Sequence, residues 1–413
     1  KRIWTVFSEY LRRNSLWLIV YGLWFHFSFL ISFHMKKVLI FGSTGSVGKN
    51  ALDVIRKAKK DFRVLGLCAY RDIKTLYRQI KEFSPSYVCV RDEKAAMELK
   101  KELNRGVKLF KGEEGLREFS CISCDISLMA ITGISCLKPL LLSLKYTQRV
   151  ALANKESIVT AGSFVLRAAA RSRTEIFPVD SEISALSQLL KINKAVVNKV
   201  YLTASGGPLL NHRKKELAKV GVKEVLSHPT WKMGKRITVD SATLVNKGFE
   251  AVEAHYFFNL SYKDIDIVIH KESAIHALVE LGDHTLFACA YLPDMRMPIA
   301  FAFHYPKRPS FFKRIDFGKK LSFTFIPLPN KFFPLLKVIL EAANREDNSL
   351  AILNACDEIA VGHFLKGKIE FTQIIKVMEY IFQHYPKSKI KSIEDVFFWD
   401  NWARIKTEEY LKK

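Results

Sequence analysis

Short polar runs along this chain carry carboxylates, lysines and hydroxyls that could assemble a catalytic site. Asp180 and Glu182 follow an apolar run at 176–179 that has the character of a β-strand. Residues two apart in a strand point to the same side, so this pair can converge on one cation if the extended geometry persists to residue 182. Carboxylate oxygens suit hard ions such as Mg²⁺. An acidic pair at a strand end is a modest signal alone, and its weight depends on its neighbours.

A glycine-rich sequence upstream predicts a nucleotide site. Gly42, Gly45 and Gly48 lie between a predicted strand and a predicted helix. Glycines at such a turn let a pyrophosphate approach the N–H groups at the helix N-terminus. The spacing is G-x-x-G-x-x-G, whereas dinucleotide sites more often show G-x-G-x-x-G, and a tight turn without a ligand is the alternative. Arg71, after the second predicted strand, favours NADPH because a guanidinium suits its 2′-phosphate.

Two downstream runs could hold a phosphate and a metal ligand. Ser205 opens a Ser-Gly-Gly turn after a predicted strand, where a hydroxyl and backbone N–H groups are available to an anion. The run 240–250 is interpreted as one capped helix on which Asn246, Lys247 and Glu250 share a face. A surface Lys–Glu pair is the plain alternative for that helix.

Lys155 and Trp231 complete the candidate chemistry. Lys155 follows the fifth predicted strand, at the carboxyl edge where open α/β sheets bind ligands. A solvated surface lysine is the alternative. Trp231 lies in a polar loop at 228–236 that contains Pro and Gly, and a large indole there indicates a lid that closes over a substrate.

The predicted strands and helices that must position these residues indicate an α/β fold. Short apolar strands alternate with amphipathic helices from residue 38, which predicts a doubly wound, Rossmann-like parallel sheet. The predicted strands of this sheet lie at 38–41, 64–69, 87–90, 126–131 and 149–152. A second α/β portion follows this sheet in the sequence. After it come four stretches with a helical period, which predict a C-terminal helical bundle with helices at 335–346, 349–365, 371–383 and 393–410.

We therefore expect an α/β protein of several domains. The expected parts are an apolar N-terminal extension at 1–34, a Rossmann-like NADPH-binding domain at 35–180, a central α/β catalytic domain at 181–304 with its loop at 228–236, a connecting stretch at 305–334, and a C-terminal helical domain at 335–413. A chain of 413 residues exceeds what one compact core usually organises.

The composition indicates which classes of ligand the protein binds. The chain has 49% apolar and 26% charged residues, and a formal net charge of +24. The basic residues are spread along the whole length without a basic tail or zinc-finger spacing, so anionic small molecules fit better than nucleic acid. Seven cysteines without framework spacing favour reduced thiols and a cytoplasmic location.

The N-terminal segment departs from this picture. The uncharged apolar run at 16–33 approaches the length of a membrane-spanning helix. The predicted first strand begins so soon after this run that a membrane-spanning helix is disfavoured. Met35 is also a plausible start of translation. We expect residues 1–34 to lie outside the fold, with a membrane anchor or targeting segment as the alternative.

Taken together, the polar runs resemble the 1-deoxy-D-xylulose 5-phosphate reductoisomerase family. The resemblance extends from Lys36 nearly to the C-terminus, and residues 1–34 have no counterpart. It is carried, in family order, by the blocks GSTGSVG, LANKES, PVDSE, ASGGP, HPTWKMGK, VDSATLVNKGFE and LPDMRMPI.

The resemblance implies roles for individual residues. The divalent-metal ligands would be Asp180, Glu182 and Glu250. The catalytic groups would be Lys155, Glu182 and His228, and the substrate contacts Ser181, Ser205, Trp231, Ser241, Asn246 and Lys247, with Met233 in the mobile loop. The NADPH contacts would be Gly42, Ser43, Thr44, Gly45, Ser46, Val47, Arg71, Asn154 and Glu156.

It also implies a reaction and an assembly. A sugar phosphate, 1-deoxy-D-xylulose 5-phosphate, would be isomerised with Mg²⁺ or Mn²⁺ (Co²⁺ being a further option) and reduced by NADPH to 2-C-methyl-D-erythritol 4-phosphate, in a homodimer. Ile183 replaces the family's usual histidine and puts full efficiency in question. The alternatives are a degenerate NADPH-binding relative with impaired turnover and a metal-free NADPH dehydrogenase.

Overall fold

The computed structural model describes residues 35–192, 196–231, 233–328 and 333–412. The predicted extension at 1–34 lies outside the described residues. In the part of the chain that is described, none of the helices combines the length and hydropathy that crossing a membrane requires.

A sheet of seven parallel strands forms the first layer, in the order β4-β3-β2-β1-β5-β6-β7. Its strands are β1 (Lys36–Phe41), β2 (Phe62–Ala69), β3 (Tyr87–Val90), β4 (Lys108–Lys111), β5 (Cys124–Met129), β6 (Thr147–Leu152) and β7 (Glu175–Pro178). The five predicted strands are confirmed, and so is the strand-like run before Asp180. Strand β4 was not predicted, because it is an edge strand in which only Phe110 is buried.

Helices cover both faces of this sheet. They are α1 (Ser46–Lys57), α2 (Ile73–Phe83), α3 (Glu93–Lys100), α4 (Gly112–Ser120), α5 (Leu137–Ser143) and α6 (Lys155–Ser172). Successive residues of β1 point to opposite faces, so Val38 and Ile40 join one apolar cluster, while Leu39 and Phe41 join the other. The sheet is therefore buried on both sides, as a doubly wound fold requires.

A second, mixed sheet has five strands in the order β11-β10-β8-β9-β12. Its strands are β8 (Val197–Ala204), β9 (Ile265–Ile269), β10 (Ile275–Leu281), β11 (Leu286–Ala290) and β12 (Ile326–Pro327). The helices that follow the first sheet in the chain are α7 (Ser181–Ile192), the short α8 (Val222–Val225), α9 (Lys235–Thr243), α10 (Val245–Phe258) and α11 (Arg296–His304). Leu186 of α7 and Ala251 of α10 pack on this sheet against Val200 and Leu202 of β8.

The C-terminal part is helical, as predicted. Its helices are α12 (Pro334–Arg345), α13 (Ser349–Leu365), α14 (Phe371–His384) and α15 (Ile393–Leu411). Their shared core includes Ile339, Leu353, Met378 and Ala403, and it continues into Phe249 of α10. The helical part therefore supports the helix that carries Glu250.

Two local predictions were wrong. The extended geometry does not persist to Glu182, because α7 begins at Ser181. The run 240–250 is not one helix: α9 and α10 meet at Leu244, whose φ of 58° lies in the left-handed region. A leucine in that conformation breaks the helical hydrogen-bond ladder, and the break re-aims the residues that follow.

The boundaries predicted for the domains remain predictions. Helix α11, at the end of the predicted catalytic domain, packs on the first sheet, where Ile299 and Phe303 join the cluster of Val38. Within the described part of the predicted connecting stretch, β12 pairs with β9 through Ile326 and Ile269. The stretch therefore adds an edge strand to the second sheet.

Gly48 and Gly362 provide a matched test of the glycine-rich turn. A Cβ on Gly48 would lie 2.3 Å from the carbonyl oxygen of Gly42, whereas one on Gly362 of α13 meets nothing within 4 Å. We expect Gly48→Ala to lower the free energy of unfolding by about 3 kcal/mol, because backbone must move. Gly362→Ala should raise it by about 0.5–1 kcal/mol. Urea unfolding of both variants measures this, and equal changes would contradict the close packing of the turn.

Candidate active site

Asp180 and Glu182 reach the site from the first turn of a helix. Asp180 Oδ1 accepts the backbone N–H groups of Glu182 at 3.2 Å and Ile183 at 3.4 Å. This capping satisfies N–H groups that the start of α7 leaves open, and it fixes the carboxylate at the carboxyl edge of the first sheet. The predicted pair is thus brought together, although by a helix start and not by a strand.

Glu250 approaches from α10. Asn246 and Lys247 lie one turn before it on the same helix face, as predicted, and both donate hydrogen bonds to its carboxylate. One carboxylate oxygen from each of Asp180, Glu182 and Glu250 lies within 4.8 Å of the others. These three side chains form what we call the carboxylate trio.

Two lysines lie between the members of the trio. Lys155 Nζ is 2.7 Å from Asp180 Oδ2 and 3.3 Å from Glu250 Oε1. Lys247 Nζ is 3.2 Å from Glu182 Oε1 and also contacts Glu250. With all five groups ionised, three negative and two positive charges leave the cluster with a net charge of −1. A divalent cation would turn that to +1, which suits an anionic substrate.

Burial and these contacts shift the pKa values of the cluster. Burial opposes the charged form of Lys155, but the carboxylates of Asp180 and Glu250 outweigh it and raise its pKa well above the ordinary value. Burial is likewise outweighed at Asp180, where Lys155 and Lys247 lower the pKa. At Glu250, burial and the neighbouring Asp180 raise the pKa to about 7. Glu250 is therefore partly protonated near pH 7, and a divalent ion that binds the trio would displace this proton.

The donor set fits a hard divalent metal ion. The trio offers oxygen ligands from three buried or half-buried carboxylates. Mg²⁺ and Mn²⁺ prefer such ligands. Lys155 and Lys247 occupy the positions between the carboxylates and would be free to turn toward a substrate once a cation takes over the charge balance.

The side of the site that is predicted to hold the phosphate is assembled from two hydroxyl-bearing segments. Ser205 Oγ is 3.0 Å from His228 Nε2. A Cβ on Gly207 would lie 2.8 Å from the carbonyl oxygen of Ser241, so the absence of a side chain lets the Ser-Gly-Gly turn approach the end of α9 closely. Ser205 and Ser241 thus face one cavity together with Asn246 and Lys247, at the mouth of the carboxylate trio.

His228 anchors the loop at 228–236, of which Lys232 is not described. Its Nδ1 accepts the backbone N–H groups of Thr230 at 3.2 Å and Trp231 at 2.9 Å. An Nδ1 that accepts two N–H groups carries no proton, so Nε2 is the protonated nitrogen and donates to Ser205. Burial lowers the pKa of His228 and favours this neutral form. The half-buried Trp231 meets His276 edge-on, with ring centroids 6.0 Å apart.

The nucleotide side is the glycine-rich turn and the start of α1. In the described helix α1, Gly45 caps the N-terminus without a side chain and the first turn contains no acidic residue. Backbone N–H groups and the helix dipole there are open to an anion, which fits a pyrophosphate. Thr44 and Gly45 line the groove beside Tyr70, and Ser46 and Val47 line the central cavity.

Other predicted cofactor contacts have structural roles as well. Asn154 caps α6 by accepting the N–H of Ser157, and its amide bonds Glu156 at 2.7 Å. The side chain of Ser43 is buried. Arg71 is exposed, with its guanidinium 6.0 Å from the ring centroid of Tyr70. Contacts of these residues with NADPH remain predictions.

One cavity unites most of the predicted residues. Its lining includes Ser46, Val47, Lys155, Asp180, Ser181, Glu182, Ser205, His228, Trp231, Met233, Ser241, Asn246, Lys247 and Glu250. Met295, which also lines it, was missed as a site residue, although it falls in the LPDMRMPI block. Ile183 does not line the cavity, because it is fully buried beside Leu186 in the core of the second sheet.

A doubly wound sheet with a glycine-rich turn, joined to a carboxylate trio and a hydroxyl-lined cavity, is the arrangement of a nucleotide-dependent enzyme with a candidate site for a hard metal ion. Models of the 1-deoxy-D-xylulose 5-phosphate reductoisomerase family match residues 38–162, those of its C-terminal domain match residues 176–258, and a model described as the DXP reductoisomerase C-terminal domain matches residues 292–406. The chain belongs to the 1-deoxy-D-xylulose 5-phosphate reductoisomerase family.

Relatives and solved structures agree with this. The chain is 44% identical over 373 residues to the reductoisomerase of Thermodesulfovibrio yellowstonii, covering 90% of this chain and 98% of the relative. It is 41% identical to that of Caldanaerobacter subterraneus, covering 92% and 100%. Among solved structures, the Zymomonas mobilis enzyme in complex with NADPH is similar with a TM-score of 0.84 at 33% identity, covering 92% and 100%. A reductoisomerase in complex with NADPH, fosmidomycin and magnesium gives 0.85 at 31% identity, covering 92% and 98%.

Glu250→Gln tests the carboxylate trio. The substitution removes one negative charge from the metal site but keeps its shape, so turnover should fall on the order of a hundredfold or more and Mn²⁺ affinity should fall with it. Calorimetric titration with Mn²⁺ and a turnover assay measure the two effects. Glu253→Gln is the control, since Glu253 is buried on the same helix but is not a member of the trio. Equal metal affinity in both variants would contradict the assignment.

The loop anchor predicts a pH dependence. Because the pKa of His228 is lowered, its ring is neutral at pH 7 and accepts the loop N–H groups. As the pH falls below the ordinary histidine pKa of about 6.5, protonation of Nδ1 progressively removes this acceptor, and KM for the substrate should rise. A pH series of wild type and His228→Asn measures it. The variant should have a raised KM that lacks the wild-type rise toward acid, and a wild-type KM that is constant into acid would refute the anchor.

Proposed function

We propose that the chain converts 1-deoxy-D-xylulose 5-phosphate to 2-C-methyl-D-erythritol 4-phosphate with NADPH and Mg²⁺ or Mn²⁺. The observation that carries this proposal is the single cavity that places the carboxylate trio beside Ser205, Ser241 and the start of α1. A metal-free dehydrogenase would not need three converging carboxylates next to a phosphate site. A degenerate relative is disfavoured because Ile183 is a core residue that leaves the cavity lining intact.

The carboxylate trio would hold the metal, and Lys155 would serve the substrate. A bound divalent ion supplies Lewis acidity that stabilises the negative charge developing on oxygen during carbon–carbon rearrangement. Lys155 Nζ lies 2.6 Å from Asn246 Oδ1 and 2.7 Å from Asp180, so this ammonium is held where it can donate to a substrate oxygen. Glu182, whose pKa burial raises, is suited to hold or relay a proton.

Phosphate recognition would come from Ser205, Ser241, Asn246 and Lys247. A lysine and polar donors bind a phosphate that takes no part in the chemistry, and this remote binding orients the reacting carbons. Trp231, which lies in the loop that His228 anchors and lines the cavity, would cover the substrate and exclude water. His228 also holds Ser205 directly, so the loop and the phosphate site are positioned together.

The nicotinamide cofactor would lie on the glycine-rich turn. The open N-terminus of α1 would receive the pyrophosphate of NADPH, and Arg71 would lie near its 2′-phosphate. Hydride supplied by NADPH then reduces the aldehyde formed by the rearrangement. Asn154 and Glu156, at the start of α6, would fix the loop 131–133 that borders the cofactor groove, since Asn154 Nδ2 donates to the carbonyls of Ile131 and Gly133.

A homodimer is proposed from the second sheet. Its edge strand β11 exposes Leu286 and Phe287, at 56% and 44% of their surfaces, and the exposed Phe317 and Phe325 lie in the stretch that leads to its other edge. An unpaired edge with exposed apolar side chains is a natural place for a second copy of the chain. A cytoplasmic location is proposed with it, on the free thiols of the cysteines.

Metal removal tests the function. Oxidation of NADPH should require both 1-deoxy-D-xylulose 5-phosphate and a divalent ion, stop on addition of a chelator, and return with excess Mg²⁺ or Mn²⁺. Absorbance at the NADPH band follows the reaction. Turnover that survives the chelator would favour the metal-free dehydrogenase, and NADPH binding without turnover would favour the degenerate relative.

The assembly has its own test. Phe287→Glu places a charge on the β11 edge and should shift the protein from dimer to monomer in light scattering coupled to size exclusion. Phe398→Glu is the control, since Phe398 is 62% exposed on α15, away from that edge. A wild-type monomer, or a dimer that Phe287→Glu leaves intact, would contradict the proposed interface.

A further inference from the structure

Arg236 lies at the centre of a cluster of carboxylates beside the proposed site. Its guanidinium is 3.0 Å from Glu156, 3.1 Å from both Asp357 and Glu358, and 3.7 Å from Asp240. The side chain of Arg236 is 17% exposed and that of Asp357 is fully buried. No role for Arg236 was predicted from the sequence.

The cluster contains more carboxyl groups than guanidinium groups. Arg404 supplies a second guanidinium, which contacts Glu358 and Asp400. Within the described part of the chain, Asp357 Oδ1 has no hydrogen-bond partner, so its other oxygen and Arg236 carry the interaction. Removing one partner of a buried charge pair leaves the other uncompensated, which strongly disfavours the arrangement. Arg236 therefore controls whether these carboxylates can stay together.

Arg236 and the partners that it contacts on other helices belong to three separate elements. Glu156 lies in the first turn of α6, next to Lys155. Asp357 and Glu358 lie on α13 of the C-terminal helical part. Arg236 itself lies in the first turn of α9, directly after the end of the loop that contains Trp231.

Helix α9 connects Arg236 to the proposed substrate site. The helix begins at Lys235, and its last turn carries Ser241, which faces the cavity that we assign to the substrate phosphate. A helix of nine residues behaves as a short rigid unit, so a shift of its N-terminal turn moves both the end of the loop and the hydroxyl of Ser241. Arg236 and Ser241 are separated by little more than one helical turn.

We infer that Arg236 is a positioning residue, which places Ser241 and the loop 228–236 for substrate binding by tying α9 to α6 and to α13. Through Asp357, the C-terminal helical part thereby contributes to substrate affinity although it lies outside the cavity lining. The planar fork of an arginine suits several carboxylates at once, whereas a lysine can satisfy only part of the set. The inference rests on the proposed function of the site.

The test is a set of steady-state measurements on substitutions of the cluster. Arg236→Met should raise KM for 1-deoxy-D-xylulose 5-phosphate about tenfold or more with a smaller change in kcat, and Arg236→Lys should recover part of the loss. Asp357→Asn, remote from the reacting atoms, should raise the same KM about threefold or more. The double substitution should be no worse than Arg236→Met alone, because both break one interaction.

Asp400→Asn is the matched control, since Asp400 pairs with Arg404 and not with Arg236. It should leave KM unchanged. Substitutions of Arg236 and Asp357 that lower Tm but retain the wild-type KM would overturn the inference and leave a purely structural role, and so would an equal rise of KM in Asp400→Asn. If Arg236→Met does not fold, Asp357→Asn and Arg236→Lys decide. A failure of the proposed function would show as missing turnover in the wild-type chain itself.

Discussion

The charge balance among Asp180, Glu182, Glu250, Lys155 and Lys247 is the interaction on which the rest of the structure depends. Burying carboxylates is costly unless each is paired and hydrogen-bonded, and here three of them share two ammonium groups. The arrangement persists because its members come from three pieces of backbone whose places the fold has already set, namely the start of α6, the start of α7 and helix α10. Its residual negative charge makes the cluster a receptor for a cation, and a bound cation in turn makes it a receptor for an anionic substrate.

The fold supplies this arrangement at the edge of the first sheet. Strands β6 and β7 end side by side, since Leu152 pairs with Pro178, and the two helices that follow them begin with Lys155 and Ser181. Helix α10 then brings Glu250 from the other side, supported by the apolar core that it shares with the C-terminal helices. The glycine-rich turn after β1 opens on the same edge. The residues predicted for the cofactor and for the metal thus meet because parallel strands end together, and α9 and α10 bring the residues predicted for the phosphate to them.

Much of the fold and of the candidate site could be predicted from local sequence patterns. Alternating strands and helices indicated the parallel sheet, and the blocks around Gly42, Asp180 and Glu250 indicated the family. Most of the residues predicted for the site line one cavity, even where the predicted backbone was wrong. Asp180 and Glu182 lie close together because Asp180 caps α7 and accepts the backbone N–H of Glu182.

Other features leave no local signal. Nothing in the neighbourhood of Leu244 in the sequence announces a left-handed leucine, because its conformation is imposed by the packing of α9 and α10. Arg236 meets partners 80 and 121 residues away, and such a meeting depends on how separate elements pack. Ile183 looked like a loss of chemistry beside the metal ligands, yet helix α7 turns its side chain into the core, where an isoleucine is well suited.

The central claim is that the carboxylate trio is the metal site of this chain. The most direct measurement is anomalous X-ray scattering from a crystal of the protein soaked in Mn²⁺. We predict one strong peak in contact with oxygens of Asp180, Glu182 and Glu250, with Lys155 and Lys247 turned away from the carboxylates that they contact in the absence of the ion. A peak elsewhere, or an unoccupied trio at a Mn²⁺ concentration that supports turnover, would contradict the account.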